Sequence, residues 1–190
     1  MNISAGVLAG GKSSRFGDDK ALAIYKNTTF LEHIVEKCRE NFYKVYVSVG
    51  DKNKYKQFPF EFVEDEIKGY GPLGGIYALL KKCETDYIFI MPTDMPLIDI
   101  NIFSALKEKC NSDEYDCIVI KYKGKPEPLC SIYSKKCIPV IEELIKENIG
   151  KPRLIFEKVN TCYLNLEDIN CDSKAINNIN TKEEFNKIIE

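Results

Sequence analysis

The sequence contains one histidine, no tryptophan and no Cys-x-x-Cys pair among its eight cysteines. Zinc sites draw on clustered histidine and cysteine ligands, so this scarcity argues against one. His33 lies in the middle of an amphipathic helical pattern, where packing is the ordinary role. Several cysteines sit inside apolar runs, as Cys117 does in Asp116-Cys117-Ile118-Val119-Ile120. With no secretion signal in view, they read as reduced thiols that fill the core. A dominant charge is missing too: 29 acidic residues face 27 basic ones, for a net charge of −2. That balance leaves no electrostatic footprint for nucleic acid or an anionic membrane, although a small anion needs only a local positive site. No run approaches the about 20 apolar residues of a membrane helix. Met1-Asn2-Ile3-Ser4 reaches Gly6 without a basic region or a long apolar stretch. The expectation is a cytoplasmic protein with neither nucleic acid nor membrane as a partner.

What is present is an alternation of apolar runs and helical patterns over 190 residues, the sign of an α/β fold. The expected architecture is a three-layer α/β/α sandwich around a mostly parallel, Rossmann-like sheet, with residues 1–190 forming one domain. Strands are expected at 3–8, 44–49, 60–63, 87–91, 116–121, 128–133 and 161–166. Thr29 with Glu32, and Thr181 with Glu184, have the spacing of helix capping boxes. Gly69 to Gly75 reads as a loop leading into a helix from Ile76 to about Cys83. Further helices are expected near 100–109 and 138–147.

The first strand runs straight into Leu8-Ala9-Gly10-Gly11-Lys12-Ser13-Ser14-Arg15-Phe16-Gly17-Asp18-Asp19-Lys20. Glycines let backbone N–H groups converge on an anion. Ser13, Ser14, Arg15 and Lys20 add donors and positive charge suited to a triphosphate. Ligands of open α/β sheets bind at this carboxyl edge. Gly6 to Ser13 also satisfies the pattern G-x-x-x-x-G-K-[ST] of the phosphate loop. The context contradicts that reading, because Gly6 lies inside the strand and the residues after Lys12 are poor helix formers.

Phosphate chemistry needs carboxylates that can hold a cation. Asp94 follows a buried strand and lies between Pro92 and Pro96, well placed for that task. Asp65 ends a short strand, and the glycine density of 71–75 suits close approach to a planar base.

In this order the pieces resemble the molybdenum cofactor guanylyltransferase family, part of the larger sugar-nucleotide-type group of nucleotidyltransferases. The resemblance spans nearly the whole chain. It rests on Leu8 to Lys20, Gly71-Pro72-Leu73-Gly74-Gly75, Pro92-Thr93-Asp94-Met95-Pro96, Lys125-Pro126-Glu127-Pro128-Leu129 and Asn178-Ile179-Asn180-Thr181. It implies that GMP passes from GTP to the terminal phosphate of molybdenum-bearing molybdopterin, with pyrophosphate released. Leu8, Ala9, Gly10 and Gly11 would line the nucleotide together with Gly71, Pro72 and Leu73. Lys20 and Arg15 would neutralise phosphate charge, Asp65 would contact the nucleoside, and Asp94 would bind the cofactor Mg²⁺. Ser48 stands where the family often has asparagine. Asn178 and Asn180 would face the pterin. Cytidylyl or uridylyl transfer, or GTP binding without catalysis, are the rival readings. Transient contact with other cofactor-synthesis proteins fits a labile acceptor.

Overall fold

The computed structural model describes residues 1–10, 19–111 and 114–189. In chain order the elements are β1 (Ser4–Leu8), β2 (Ile24–Tyr25), β3 (Thr28–Thr29), α1 (Phe30–Arg39), β4 (Val45–Val49), β5 (Glu61–Glu64) and α2 (Pro72–Lys82). Then come β6 (Tyr87–Pro92), α3 (Ile100–Cys110), β7 (Cys117–Tyr122), β8 (Lys125–Ser134), α4 (Ile138–Lys146), β9 (Thr161–Asn165) and α5 (Lys182–Ile189).

Seven strands form one sheet in the order β5-β4-β1-β6-β8-β7-β9. β1 pairs in parallel with β4 and β6, and β4 with β5. Only β8 runs against its neighbours β6 and β7, while β7 and β9 are parallel. Covered on both faces, β6 is apolar throughout, and its side chains still alternate. Phe89 and Met91 join the core that α1 and α3 cover with Leu31, Ile34 and Phe103. Ile88 and Ile90 face the other way, into the core that α2 and α4 cover with Ile76, Leu79 and Ile141. Two cores on opposite faces of a mostly parallel sheet give the expected three layers. Burying a side chain the size of Phe89 contributes roughly 1.5–3 kcal/mol relative to leaving it exposed. Six of the eight cysteines are buried, and none is in a disulfide among the described residues.

Both capping boxes form. The Thr29 hydroxyl accepts from Glu32 N while Glu32 accepts from Thr29 N, and Thr181 and Glu184 repeat the exchange at 3.1 Å each way. Other expectations are corrected. α2 begins at Pro72, four residues before Ile76, because Gly71 adopts φ 55° and Pro72 takes the first helical position. β8 starts at Lys125 rather than Pro128, since Lys123 and Gly124, at φ 50° and 73°, make a tight hairpin turn from β7. The β2–β3 hairpin was not anticipated; it turns on Lys26 and Asn27, also at positive φ.

Candidate active site

The parallel strands β5, β4, β1 and β6 release the chain at one edge of the sheet, where a cavity of about 280 Å³ opens. Leu8 from β1 with Ala9 and Gly10 after it, Ser48 from β4, Asp65 after β5, and Thr93 and Asp94 after β6 all line it. Backbone bonds extend the sheet's order to this rim: Ala9 N donates to Ser48 O at 2.9 Å and Asp65 N to Val49 O at 3.2 Å. Gly71, Pro72 and Gly75 form the wall on the α2 side.

Lys20 stands at one end. It rises from a short 3₁₀ turn, Lys20–Leu22, in which the Ala21 N–H is capped by the Asp19 side chain. Its ammonium donates to Asp94 Oδ2 and to Asn180 Oδ1, both at 3.0 Å. Asp94 Oδ1 is buried and has no hydrogen-bond partner among the described residues. A buried oxygen of that kind is costly unless something binds it. The loop carrying Asp94 is braced from two directions. Ile179 N donates to Asp94 O at 2.8 Å. From α1, the Lys37 ammonium donates to Pro96 O at 3.2 Å and Ile98 O at 2.8 Å. His33 Nε2 also lies 3.2 Å from Pro96 O, which gives the lone histidine the packing role expected of it.

At the other end, Ser48 Oγ donates to Asp65 Oδ1 at 2.6 Å. Burial pushes the Asp65 carboxyl above the usual carboxylate range, and the Ser48 bond pulls it back. Ser48 thus holds a neighbouring acceptor in place. Gly75 makes room for the pair: a Cβ there would lie 2.7 Å from Ser48 Oγ and 2.7 Å from Leu8 Cδ2.

Not every expected residue reaches the cavity. Leu73 is fully buried in the core, because the early start of α2 turns it toward the sheet. Asn178 is exposed and off the cavity wall, whereas Asn180 reaches in to Lys20. Gly11 and Arg15 lie outside the described residues. Three residues carry more than the sequence disclosed. Asp19 caps the lysine's turn, and the Asp19-Lys20 pair in the glycine-rich motif was its signal. Glu127, in the segment that brings Leu129 to the cavity, is raised by burial and by the charge of Asp94. Tyr55 touches Asp19 from 36 residues away, and no local pattern marks it.

A cationic side chain and two carboxylates at the carboxyl edge of a doubly covered α/β sheet define a nucleotide-handling enzyme class. Residues 5–161 match the model of the MobA-like NTP transferase domain, and the chain belongs to that family. It is 34% identical over 195 residues to a probable molybdenum cofactor guanylyltransferase of Geobacillus sp. (strain WCH70), covering 100% of both chains. To a probable molybdenum cofactor guanylyltransferase of Bacillus cereus (strain B4264) it is 37% identical, over 94% of this chain and 92% of the other. Among solved structures, molybdopterin-guanine dinucleotide biosynthesis protein A from Archaeoglobus fulgidus shares the fold. Its TM-score is 0.85 at 23% identity, covering 98% of this chain and 96% of that one.

Proposed function

We propose that residues 1–190 act as one cytoplasmic nucleotidyltransferase domain that moves GMP from GTP to the terminal phosphate of molybdenum-bearing molybdopterin. The observation that carries the transferase reading is the Lys20–Asp94 pair with the unpartnered Asp94 Oδ1 beside it. The names of the full-length relatives support guanine and the pterin acceptor. No helix among the described residues is long and apolar enough to cross a membrane.

In the proposed reaction an oxygen of the acceptor phosphate attacks the α-phosphorus of GTP. The bond from that phosphorus to the bridging oxygen breaks, and pyrophosphate leaves with the electron pair. The acceptor is its own nucleophile, so the protein positions groups and offsets charge. The Lys20 ammonium would move from Asp94 to the departing phosphates, whose charge Arg15 would also offset. Asp65 would accept from the nucleoside, held in place by Ser48. Asp94 would hold Mg²⁺ through Oδ1, and that cation would supply charge neutralisation for the phosphates. The donor fits: Asp94 Oδ1 is a buried carboxylate oxygen with no hydrogen-bond partner among the described residues. One carboxylate with substrate oxygens is how Mg²⁺ is commonly held. Asn180 and the segment around Leu129 would meet the pterin.

Pyrophosphate release from GTP, CTP, UTP and ATP, with molybdopterin as acceptor, tests the reading. GTP should be the preferred substrate, and Asp94→Asn should lower turnover by roughly 100-fold or more, the scale of losing one transition-state contact. Preference for CTP would reassign the chain to cytidylyl transfer. Tight GTP binding with no release would make it a binding subunit, and near-normal Asp94→Asn turnover would remove Asp94 from the chemistry.

A further inference from the structure

Tyr55 lies outside every motif, yet its hydroxyl reaches both Ala9 and Asp19. The side chain closes a 3₁₀ turn, Lys52–Tyr55, opened by Asp51, whose carboxylate accepts from Asn53 N at 2.9 Å. Its ring is 3% exposed and stacks on Phe62 with centroids 5.8 Å apart, so it is rooted in the core rather than in the site. The hydroxyl is 2.6 Å from Asp19 Oδ2 and 3.1 Å from Ala9 O. A phenol has one proton to give. The shorter contact, to the charged oxygen, takes it, and the Ala9 carbonyl is a second acceptor within reach.

One side chain therefore meets both Ala9 and Asp19, residues well separated in the sequence. The other Asp19 oxygen, Oδ1, accepts from Ala21 N at 3.1 Å and caps the turn that carries Lys20. A continuous set of contacts therefore runs from the Tyr55 ring through Asp19 to the ammonium that faces Asp94 and Asn180. Burial and the hydrogen bond to Asp19 both push the Tyr55 phenol up, further still from ionising than an ordinary phenol.

We propose that Tyr55 is a positioning residue for the triphosphate: it fixes Asp19, and through Asp19 it aims Lys20. This rests on the reading that Lys20 meets the phosphates. Tyr55 never touches the substrate. Its effect should appear only with ligands that reach Lys20, and a merely structural role would not make that distinction.

The test compares binding of GTP and GMP, with Mg²⁺ present, to wild type, Tyr55→Phe, Asp19→Asn and the double variant, each with its melting temperature. Tyr55→Phe removes one hydroxyl and keeps the ring. It should weaken GTP roughly tenfold, the scale of one hydrogen bond to a charged group, and change GMP less than about twofold. The double variant should bind GTP no more weakly than Asp19→Asn alone, because the two changes remove the donor and the anionic acceptor of one charge-assisted hydrogen bond. Equal losses for GTP and GMP, unchanged GTP binding, or additive effects would overturn the proposal. Should Tyr55→Phe fail to fold, Asp19→Asn decides: a loss confined to GTP supports the link, and an equal loss for both nucleotides refutes it. Wild type that holds GTP no better than GMP overturns the phosphate reading beneath it. A wild-type preference that Tyr55→Phe leaves intact overturns this proposal alone.

Discussion

Asp65 and Glu127 are carboxylates that burial holds above the usual range, Glu127 with help from the charge of Asp94. A group whose pKa is raised by folding contributes stability below its unfolded value and loses that contribution as pH rises through its folded value. Mild acid therefore takes no stability from these two residues. Asp65, shifted upward, should take its proton before an ordinary carboxylate does and then no longer serve as a pure acceptor. Asp51, Glu84 and Glu184 have the opposite shift. Backbone hydrogen bonds are the first cause for Asp51 and Glu184, and the Lys44 side chain is the first cause for Glu84. What they contribute is present above the usual carboxylate range and lost only as pH falls below it. GTP affinity should accordingly decline at a higher pH than the melting temperature does. Binding titrations and thermal melts across the same acid series check this, and coincident declines would refute it. None of these shifts was legible beforehand. They depend on which carboxylate folding buries, as with Asp65, whose partner Ser48 comes from another strand.

Helix α2 shows what a glycine-rich stretch can hide. Read as sequence, Gly69 to Gly75 suggested a loop, and the glycine density of 71–75 suited close approach to a base. In the fold the glycines separate into three tasks. Gly71 turns the chain at positive φ, and Gly74 and Gly75 lie inside the helix. A Cβ on Gly74 would sit 2.8 Å from the Ile67 carbonyl oxygen, a backbone atom that cannot step aside. One on Gly75 would meet only side-chain ends, among them the Ser48 hydroxyl that holds Asp65. Alanine gains about 1 kcal/mol over glycine in a helix interior, which offsets part of either clash. Gly74→Ala should therefore lower the melting temperature, whereas Gly75→Ala should mainly weaken GTP binding. Melts and nucleotide titrations on the two variants separate these outcomes, and a reversed pattern would refute the division. The capped helices were readable because Thr29 and Glu32 act within one turn. The reversed direction of β8 was not, because the Lys123-Gly124 turn at its start is a weak signal until both residues are seen at positive φ.

Across the whole molecule, the cavity depends on a segment far from its founding motif. Ile179 N holds the Asp94 loop and Asn180 shares the Lys20 ammonium, 160 residues away in sequence. Ile179 also joins Tyr25 and Phe30 in a small cluster, against which Phe185 and Ile188 of α5 pack. A chain ending at Ile176 should keep its central sheet and lose these contacts. Uncovering that cluster should cost roughly 2–4 kcal/mol, the scale of one or two large apolar side chains. Nucleotide-dependent turnover should fall much further than stability. Circular dichroism with a turnover assay tests this, and full activity in the shortened chain would refute it. Family likeness was legible from residue order alone, but this dependence was not, because Asn180 announces no partner.

Seen as a matter of modular exchange, that tether sets where the chain could be cut and rejoined. Likeness to the family model stops at residue 161, and β9 closes the sheet at Asn165. A recombination breakpoint drawn at either place would transplant a sheet and its helices while leaving Asp94 and Lys20 short of their third companion. Only a junction beyond Asn180 would carry the working unit whole.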